Sequence, residues 1–460
     1  MAILKTISGI RGTIGGKEDE GLSPIDVVKY TASFGQLMIT PSNKKIVVGR
    51  DGRMSGAMVH QLVTATLQSI GATIIDLGLS TTPTVEMAVK IEGAAGGIIL
   101  TASHNPREWN ALKLLNSNGE FINAEIGQEV LANADNKSTV FAEVTELGTV
   151  VTNNTYMQKH IDAILAHPLV NAKAIAAKNF SVVVDAINST GATFVPALLN
   201  ALGVYNITVI NDAVTGNFAH NPEPLPENLK ELCSTVVDTK SHIGIAVDPD
   251  VDRLCFVNED GSLFGEEYTL VAVADYILQH KKGNTVSNLS STRALRDVTE
   301  KHGGTYYASA VGEVNVVSKM KEMHAVIGGE GNGGIIVPEL HYGRDALIGI
   351  ALFLSHLATF GKSMSQLRST YPQYVISKNK IELDASIDLQ KIFTSLKEKY
   401  EAQPINDIDG LKIEFGNDWV HLRPSNTEPI IRIYSESSND TTAENIARKI
   451  MIDIHEASKA

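Results

Sequence analysis

The chain has 460 residues, 43% hydrophobic and 20% charged, which is the composition of a folded globular protein too long for one core. Its 39 Lys and Arg against 52 Asp and Glu give a net charge of −13, which leaves no basic tract for nucleic acid or an anionic membrane. No apolar run reaches the roughly 20 residues that span a bilayer, and the segment MAILKTISGIRG lacks the features of a signal peptide, so the expected location is the cytoplasm. Cys233 and Cys255, neither with a CxxC partner, form no disulfide framework or thiolate metal site and read as core thiols.

Taken in chain order, short β-branched runs read as strands: KIVVGRD at 45–51, ATIIDLG at 72–78, GGIILTAS at 96–103, FSVVVDA at 180–186, VYNITVIND at 204–212 and HIGIAVDPD at 242–250. Between them lie helix-period stretches such as MVHQLVTATLQSIG and TFVPALLNALG, each closing on a glycine suited to a C-cap. Strands alternating with helices predict α/β units with buried strands. Three strands run into an acidic loop, VVGRD, VVVDA and IAVDPD, a faint internal repeat of about one per domain. After residue 370 the strand-like runs YVISKNKIEL, GLKIEF, WVHLRP and IIRIYSES predict a smaller α+β domain. The expected division is 1–150, 151–255, 256–370 and 371–460.

Four loops carry chemistry. In LTASHNPREWNALK, Ser103 stands just past a strand among polar neighbours, where a fixed hydroxyl suits a nucleophile or phosphate carrier. The same residues also fit a helix start, with Ser103 or Asn105 as N-cap and Pro106 at N1; Lys113 follows as a cation or proton-transfer group. In DPDVDR, Asp248, Asp250 and Asp252 offer hard oxygens at alternate positions, a set suited to Mg²⁺, although a solvated acidic turn has the same sequence. An EF-hand fits less well, because Arg253 occupies the position that demands glycine and a strand precedes the loop. GGEGNGG at 328–334 has dinucleotide-like glycine spacing but runs into another strand, IIVP. It reads either as a plain hairpin turn or as a loop bringing Glu330 and Asn332 to sugar hydroxyls. RPSNTEP at 423–429, with Arg432 beyond it, gathers guanidinium, hydroxyl and amide groups for a phosphate, or forms a capped turn. No Walker A sequence occurs, which disfavours an NTP-driven kinase.

Together and in this order, TASHNP, DPDVDR, GEGNGG and RPSNTEP, with SGIRG near the N-terminus, resemble the α-D-phosphohexomutase family over essentially the whole chain. The resemblance implies three related α/β domains with mixed sheets and a smaller α+β C-terminal domain around a central cleft. It implies that Ser103 carries a phosphoryl group whose oxygen completes the coordination of Mg²⁺ by Asp248, Asp250 and Asp252. By the same resemblance Arg11, His104 and Lys113 line the transfer site, and Arg253, Glu330 and Asn332 meet the substrate. Arg423, Ser425, Asn426, Thr427 and Arg432 then hold the phosphate that is not transferred. Many members carry a serine and a terminal histidine in the sugar loop, where Asn332 and Gly334 stand here, and Ala111 replaces the usual glycine of NGxK. Proton transfer then falls to Lys113 or His104.

The implied reaction interconverts hexose 6-phosphate and hexose 1-phosphate through a phosphoserine and a hexose bisphosphate, which also serves as activator. Glucosamine phosphate is the favoured sugar, and phosphoglucomutase/phosphomannomutase activity is the alternative. An aspartyl-phosphate type sugar phosphatase is a distant second class, since Asp252 stands where its DxDx[TV] loop needs Thr or Val. A non-catalytic sugar-phosphate binding protein is the third, disfavoured because Ser103 and the three aspartates are all present. The expected partner is a small hexose phosphate, with no nucleic acid or membrane, for a monomer or homodimer.

Overall fold

The computed structural model describes residues 3–6, 9–18, 20–382, 389–424 and 430–458. The apolar run Lys45–Arg50 lies between two parallel neighbours, Thr73–Leu79 on one side and Gly96–Leu100 on the other, with Thr149–Thr152 as a fourth parallel strand beyond Thr73–Leu79. Its interior residues are fully buried, because helices cover both faces, which is why such strands read as continuous apolar runs. Trp109–Leu115 returns antiparallel beside Gly96–Leu100, and Gly9–Thr13 lies antiparallel beyond it, within a seven-stranded sheet.

The same plan recurs twice. In the second sheet Ser181–Asp185 is central, flanked in parallel by Asn206–Ile210 and Ile243–Val247, and Leu254–Val257 returns antiparallel. In the third, Asn284–Asn288 is central between Tyr306–Ser309 and Ala325–Glu330, and Gly334–Ile336 returns antiparallel. The turn that joins a parallel strand to its antiparallel neighbour is therefore topologically equivalent in all three domains. These turns are the serine loop, the aspartate loop and the glycine-rich loop.

The acidic repeat read from the sequence is a different pattern and is corrected here. Asp51 and Asp185 stand at the ends of the central strands Lys45–Arg50 and Ser181–Asp185, but Asp248 follows the flanking strand Ile243–Val247 of the second sheet, so two of the three loops belong to one domain. The true counterpart of Asp51 and Asp185 in the third domain is Asn288. Each of the three accepts the backbone N–H two residues on, from Arg53, Ile187 and Ser290. An Asx turn at the end of a central strand is the shared device.

The fourth sheet is wholly antiparallel, with five strands in the order Val375–Glu382, Ile430–Ser437, Asp418–Pro424, Leu411–Phe415, Ile405–Asn406. Helices Leu389–Lys399 and Asp440–Ala457 cover one face over a core of Leu411, Ile413, Val420, Leu422, Ile431 and Ile433. The other face carries Trp419, His421 and Glu436 toward the third domain, where Arg293 donates its backbone N–H to Glu436 and Arg296 forks onto Glu414.

The second and third domains share one continuous hydrophobic core. Its centre is the helix Ala346–Phe360, mostly apolar and buried from Ala346 to Ala358, capped by the Asp345 carboxylate at the N–H groups of Leu347 and Ile348. Phe353 stacks on Phe256 at 3.9 Å between ring centres and meets Phe264 edge-on, contacts worth roughly 1 kcal/mol each beyond area burial. Among the described residues no helix is long and apolar enough to cross a membrane. Cys255 is buried and Cys233 half-buried, both as free thiols.

Candidate active site

Ser103 is fixed from below by a buried arginine. Arg53 Nη2 donates to the carbonyls of Ser103 (2.5 Å) and Asn105 (2.7 Å), and Nη1 to those of Pro106 (2.8 Å) and Trp109 (2.9 Å). Its Nε is paired with Asp51 at 3.1 Å, and Thr101 donates to the same carboxylate while accepting the N–H of Ser103. This scaffold holds Ser103 at φ +49°, a left-handed conformation that a serine adopts only under constraint. No helix follows: the loop turns into the strand Trp109–Leu115, so the helix-start reading of SHNP is corrected.

The serine hydroxyl donates to Asp248 Oδ2 at 2.9 Å, across a domain boundary. Asp248 Oδ1 accepts the N–H groups of Asp252 and Arg253, which folds DPDVDR into a tight loop with Val251 at φ +61°. Such a conformation is costly for a β-branched residue and persists because the surrounding bonds over-determine it. Lys113 Nζ, from the strand behind Ser103, reaches Asp250 at 2.7 Å and Asp252 at 3.2 Å. Thr82, at the start of helix Thr82–Glu92, donates to Asp250 Oδ2 at 2.6 Å.

The oxygens of Asp248, Asp250 and Asp252 gather within 4.8 Å of one another, and all three residues are buried. Among the described residues, Asp250 Oδ1 and Asp252 Oδ1 have no hydrogen-bond partner. Buried carboxylate oxygens left unsatisfied in a cluster are what a hard divalent cation would complete, so these residues fit Mg²⁺. A second cluster, His160, His341 and Asp345, has comparable spacing. There both imidazoles already reach Asp345 Oδ2, at 2.9 and 3.2 Å, and His160 meets Thr84, so it acts as a polar joint between domains.

Electrostatics separates the roles around Ser103. Burial, and then the neighbouring Asp252 and Asp250, push the Asp248 carboxyl well above the usual range in the absence of a cation. Burial opposes the charge on Asp252, but Arg344, Lys113 and Arg253 outweigh it and hold that carboxyl low. Burial likewise works against Lys113, yet Asp250 and Asp252 raise it above an ordinary lysine, so it stays a cation. His104, whose Nδ1 lies 3.3 Å from Ser103 Oγ, is held neutral by burial and by Arg253 and Arg11. Arg11 lies at the same place, donating to the Asn105 side chain at 3.4 Å, and Arg253 reaches Glu223 at 3.3 Å.

Glu330 is linked to this group through Arg344, whose Nη1 donates to Glu330 at 2.8 Å and Nη2 to Asp252 at 2.7 Å. Asn332 accepts the N–H of Gly334 and so shapes the glycine-rich turn. In the fourth domain, Arg423 Nε pairs with Asp409 at 3.1 Å, and Asp409 also accepts the N–H of Val311 from the third domain. Arg423 lies directly opposite Arg432 in the ladder, and Arg432 opposite Lys380. Like charges directly opposite on one sheet face repel, a repulsion that Asp409 offsets in part at Arg423 and that a bound anion would offset further. Ser425, Asn426 and Thr427 lie outside the described residues.

Four family models cover the chain in sequence: Phosphoglucomutase/phosphomannomutase alpha/beta/alpha domain I at 3–140, domain II at 158–261, domain III at 265–374 and the C-terminal domain at 379–452. The chain belongs to the α-D-phosphohexomutase family. Like its relatives, this phosphohexomutase is an enzyme that transfers phosphate intramolecularly. It is 34% identical over 443 residues to a phosphoglucomutase/phosphomannomutase of Thermococcus kodakarensis, covering 94% of this chain and 95% of that one. It is 32% identical over 459 residues to a phosphoglucosamine/phosphogalactosamine mutase of Sulfurisphaera tokodaii, covering 98% of each. A crystal structure of a phosphoglucomutase/phosphomannomutase family protein from Burkholderia thailandensis superposes with a TM-score of 0.85 at 25% identity, covering 98% of this chain and 96% of the other.

Sequence reading of the phosphohexomutase missed four residues that the fold brings to the site: Arg53, Thr82, Arg344 and Lys380. Arg344 and Asp345 adjoin a mostly apolar helix, and a charged pair at such a border is the one signal that could have marked them. Arg53 and Thr82 act through contacts between distant segments, and no local pattern announces those.

Proposed function

We propose that the enzyme interconverts hexose 6-phosphate and hexose 1-phosphate through a phosphoserine at Ser103 and a hexose bisphosphate, with glucosamine phosphate as the preferred sugar. The observation that carries this reading is the contact of Ser103 Oγ with Asp248 beside two unpartnered carboxylate oxygens and the fixed cation Lys113.

When bound by Asp248, Asp250 and Asp252, Mg²⁺ would neutralise charge on the phosphoryl oxygens as a Lewis acid. The remaining work belongs to side chains. In the first half-reaction the bond between Ser103 Oγ and phosphorus breaks as the sugar hydroxyl oxygen bonds to phosphorus. The proton released by that hydroxyl is the one Ser103 Oγ needs. His104, neutral and next to Oγ, is better suited to pass it than Lys113, which its two aspartates keep charged. Lys113, Arg11 and Arg253 face the charge of the transferring group, so catalysis is largely positioning and electrostatics. Arg423, Arg432 and Lys380, with Ser425, Asn426 and Thr427, take the other phosphate. One donor and one clamp serve both half-reactions only if the bisphosphate turns round between them.

The relatives bear names for both glucose/mannose and amino-sugar phosphates, and the phosphoglucomutase/phosphomannomutase named in Thermococcus kodakarensis favours a second reading, that this enzyme is itself a phosphoglucomutase/phosphomannomutase. Measuring kcat/KM for glucosamine, glucose and mannose phosphates with Mg²⁺ and the matching bisphosphate separates them. A preference for glucosamine phosphate above about tenfold, roughly 1.4 kcal/mol, supports the first. Equal or better turnover of the neutral sugars replaces it with the second. Release of inorganic phosphate without isomer formation would sink both.

A further inference from the structure

Gly334 and Arg344 compete for one space. A Cβ added at Gly334 would stand 2.3 Å from Arg344 Cδ and 3.0 Å from its Cγ, closer than carbon atoms approach. Arg344 has little freedom to step aside, because carboxylates from three chain segments hold it: Glu313 at 3.0 Å, Glu330 at 2.8 Å and Asp252 at 2.7 Å. The side chain is buried, and these three charges raise its pKa despite burial.

The carboxylate of Glu330 is almost fully committed. Its Oε1 accepts from Asn288 Nδ2 at 2.9 Å and from the N–H of Gly312 at 3.1 Å, while Oε2 accepts from Arg344. A carboxylate oxygen has two acceptor positions, so Oε2 keeps one for an incoming hydroxyl, and Arg344 fixes its direction. The same guanidinium joins Glu330 of the third domain to Asp252 of the second. We propose that Arg344 is the positioning residue that aligns the sugar-binding carboxylate with the phosphoryl-transfer site, and that residue 334 is glycine so that Arg344 can pass. This deepens the proposed function, on which the sugar-binding role of Glu330 rests.

The test is a double-mutant cycle of Gly334→Ala and Arg344→Ala, with Arg344→Lys as a variant that keeps the charge and loses the fork. For each protein, kcat and KM are measured with glucose 6-phosphate and its monodeoxy analogues. Affinities for the same sugars are measured by calorimetry on EDTA-treated protein, and Tm is recorded. Arg344→Ala and Gly334→Ala should each lower kcat/KM at least tenfold, while Gly334→Ala in the Arg344→Ala background changes it less than twofold, since only the lesser contact with Asn332 Oδ1 at 3.2 Å remains. Arg344→Lys should narrow the preference for glucose 6-phosphate over one deoxy analogue, in turnover and in metal-free affinity. Additive effects of the two alanine substitutions, or equal losses for parent and deoxy sugars in every variant, would overturn the proposal. A wild type without mutase turnover on any hexose phosphate would instead defeat the proposed function, and the calorimetric comparison would still decide the role of Arg344.

Discussion

Replacing Arg53 with methionine should separate the serine loop from its support. The wild-type side chain is almost wholly buried and makes four bonds to carbonyls of the loop and one to Asp51. Methionine fills much of the volume but leaves Asp51 as a buried carboxylate without its cation. Breaking a buried pair in this way costs roughly 3–5 kcal/mol. For a domain of this size each kcal/mol moves the transition by roughly 2–4 °C, so the first domain should melt about 10 °C lower. Burial already raises the Asp51 carboxyl to about 6, with Arg53 opposing, and removing Arg53 raises it further. A raised carboxyl favours the folded state when protonated, and that advantage is lost as pH rises through the folded pKa. The deficit of the variant should therefore be larger at pH 8 than at pH 5. Calorimetry at the two pH values measures the stability, and mass spectrometry of Ser103 phosphorylation by glucose 1,6-bisphosphate measures the function. A melting point within about 2 °C of wild type at both pH values, with unchanged phosphorylation, would refute the argument that Arg53 holds the loop.

Ser103→Ala should abolish mutase turnover and leave no phosphoryl label on the protein after incubation with bisphosphate, with hexose phosphate affinity retained in calorimetry. Lys113→Met removes a cation that competes for Asp250 and Asp252, so the variant should bind Mg²⁺ more tightly in a titration while its kcat falls at least tenfold. His421, held between Ser290 and the Asp409 carbonyl, is lowered to about 4, chiefly by burial. A lowered histidine contributes stability above its unfolded value of about 6.5 that is lost as pH falls toward 4. The contact between the third and fourth domains should thus loosen in that window, as faster amide exchange at residues 288–293, and His421→Asn should flatten the pH dependence.

The loops themselves were legible because their residue types are chemically demanding. Alternating aspartates, a serine after a buried strand and an arginine-led polar turn are residue types that suit phosphate or metal, although each also fits a plain turn when read alone. Two local readings failed for the same reason. The residues of SHNP satisfy helix-start rules, yet the strand Trp109–Leu115 pairs with Gly96–Leu100 and claims the chain before a helix can form. The acidic loops looked equivalent in the sequence, but equivalence depends on a strand's place in its sheet, which hydrogen bonds between distant segments establish. Asn288 escaped notice because its role as the third Asx turn needs only a carbonyl oxygen, which an amide supplies as well as a carboxylate.

By itself the sequence determined the class of units, α/β followed by α+β, because that follows from periodicity within a few residues, and it marked the polar residues of each loop as candidates. The tertiary structure decided how these parts act together. It placed Ser103 against Asp248 of another domain, set Lys113 and Arg344 on the aspartates, and merged the second and third domains around one apolar helix. It also decided that residue 334 has no side chain to spare, since Arg344 fills the place. The contacts of Ser103, Lys113 and Arg344 with the aspartates join residues 145, 137 and 92 apart, where burial and electrostatics act through space and leave no periodic trace along the chain.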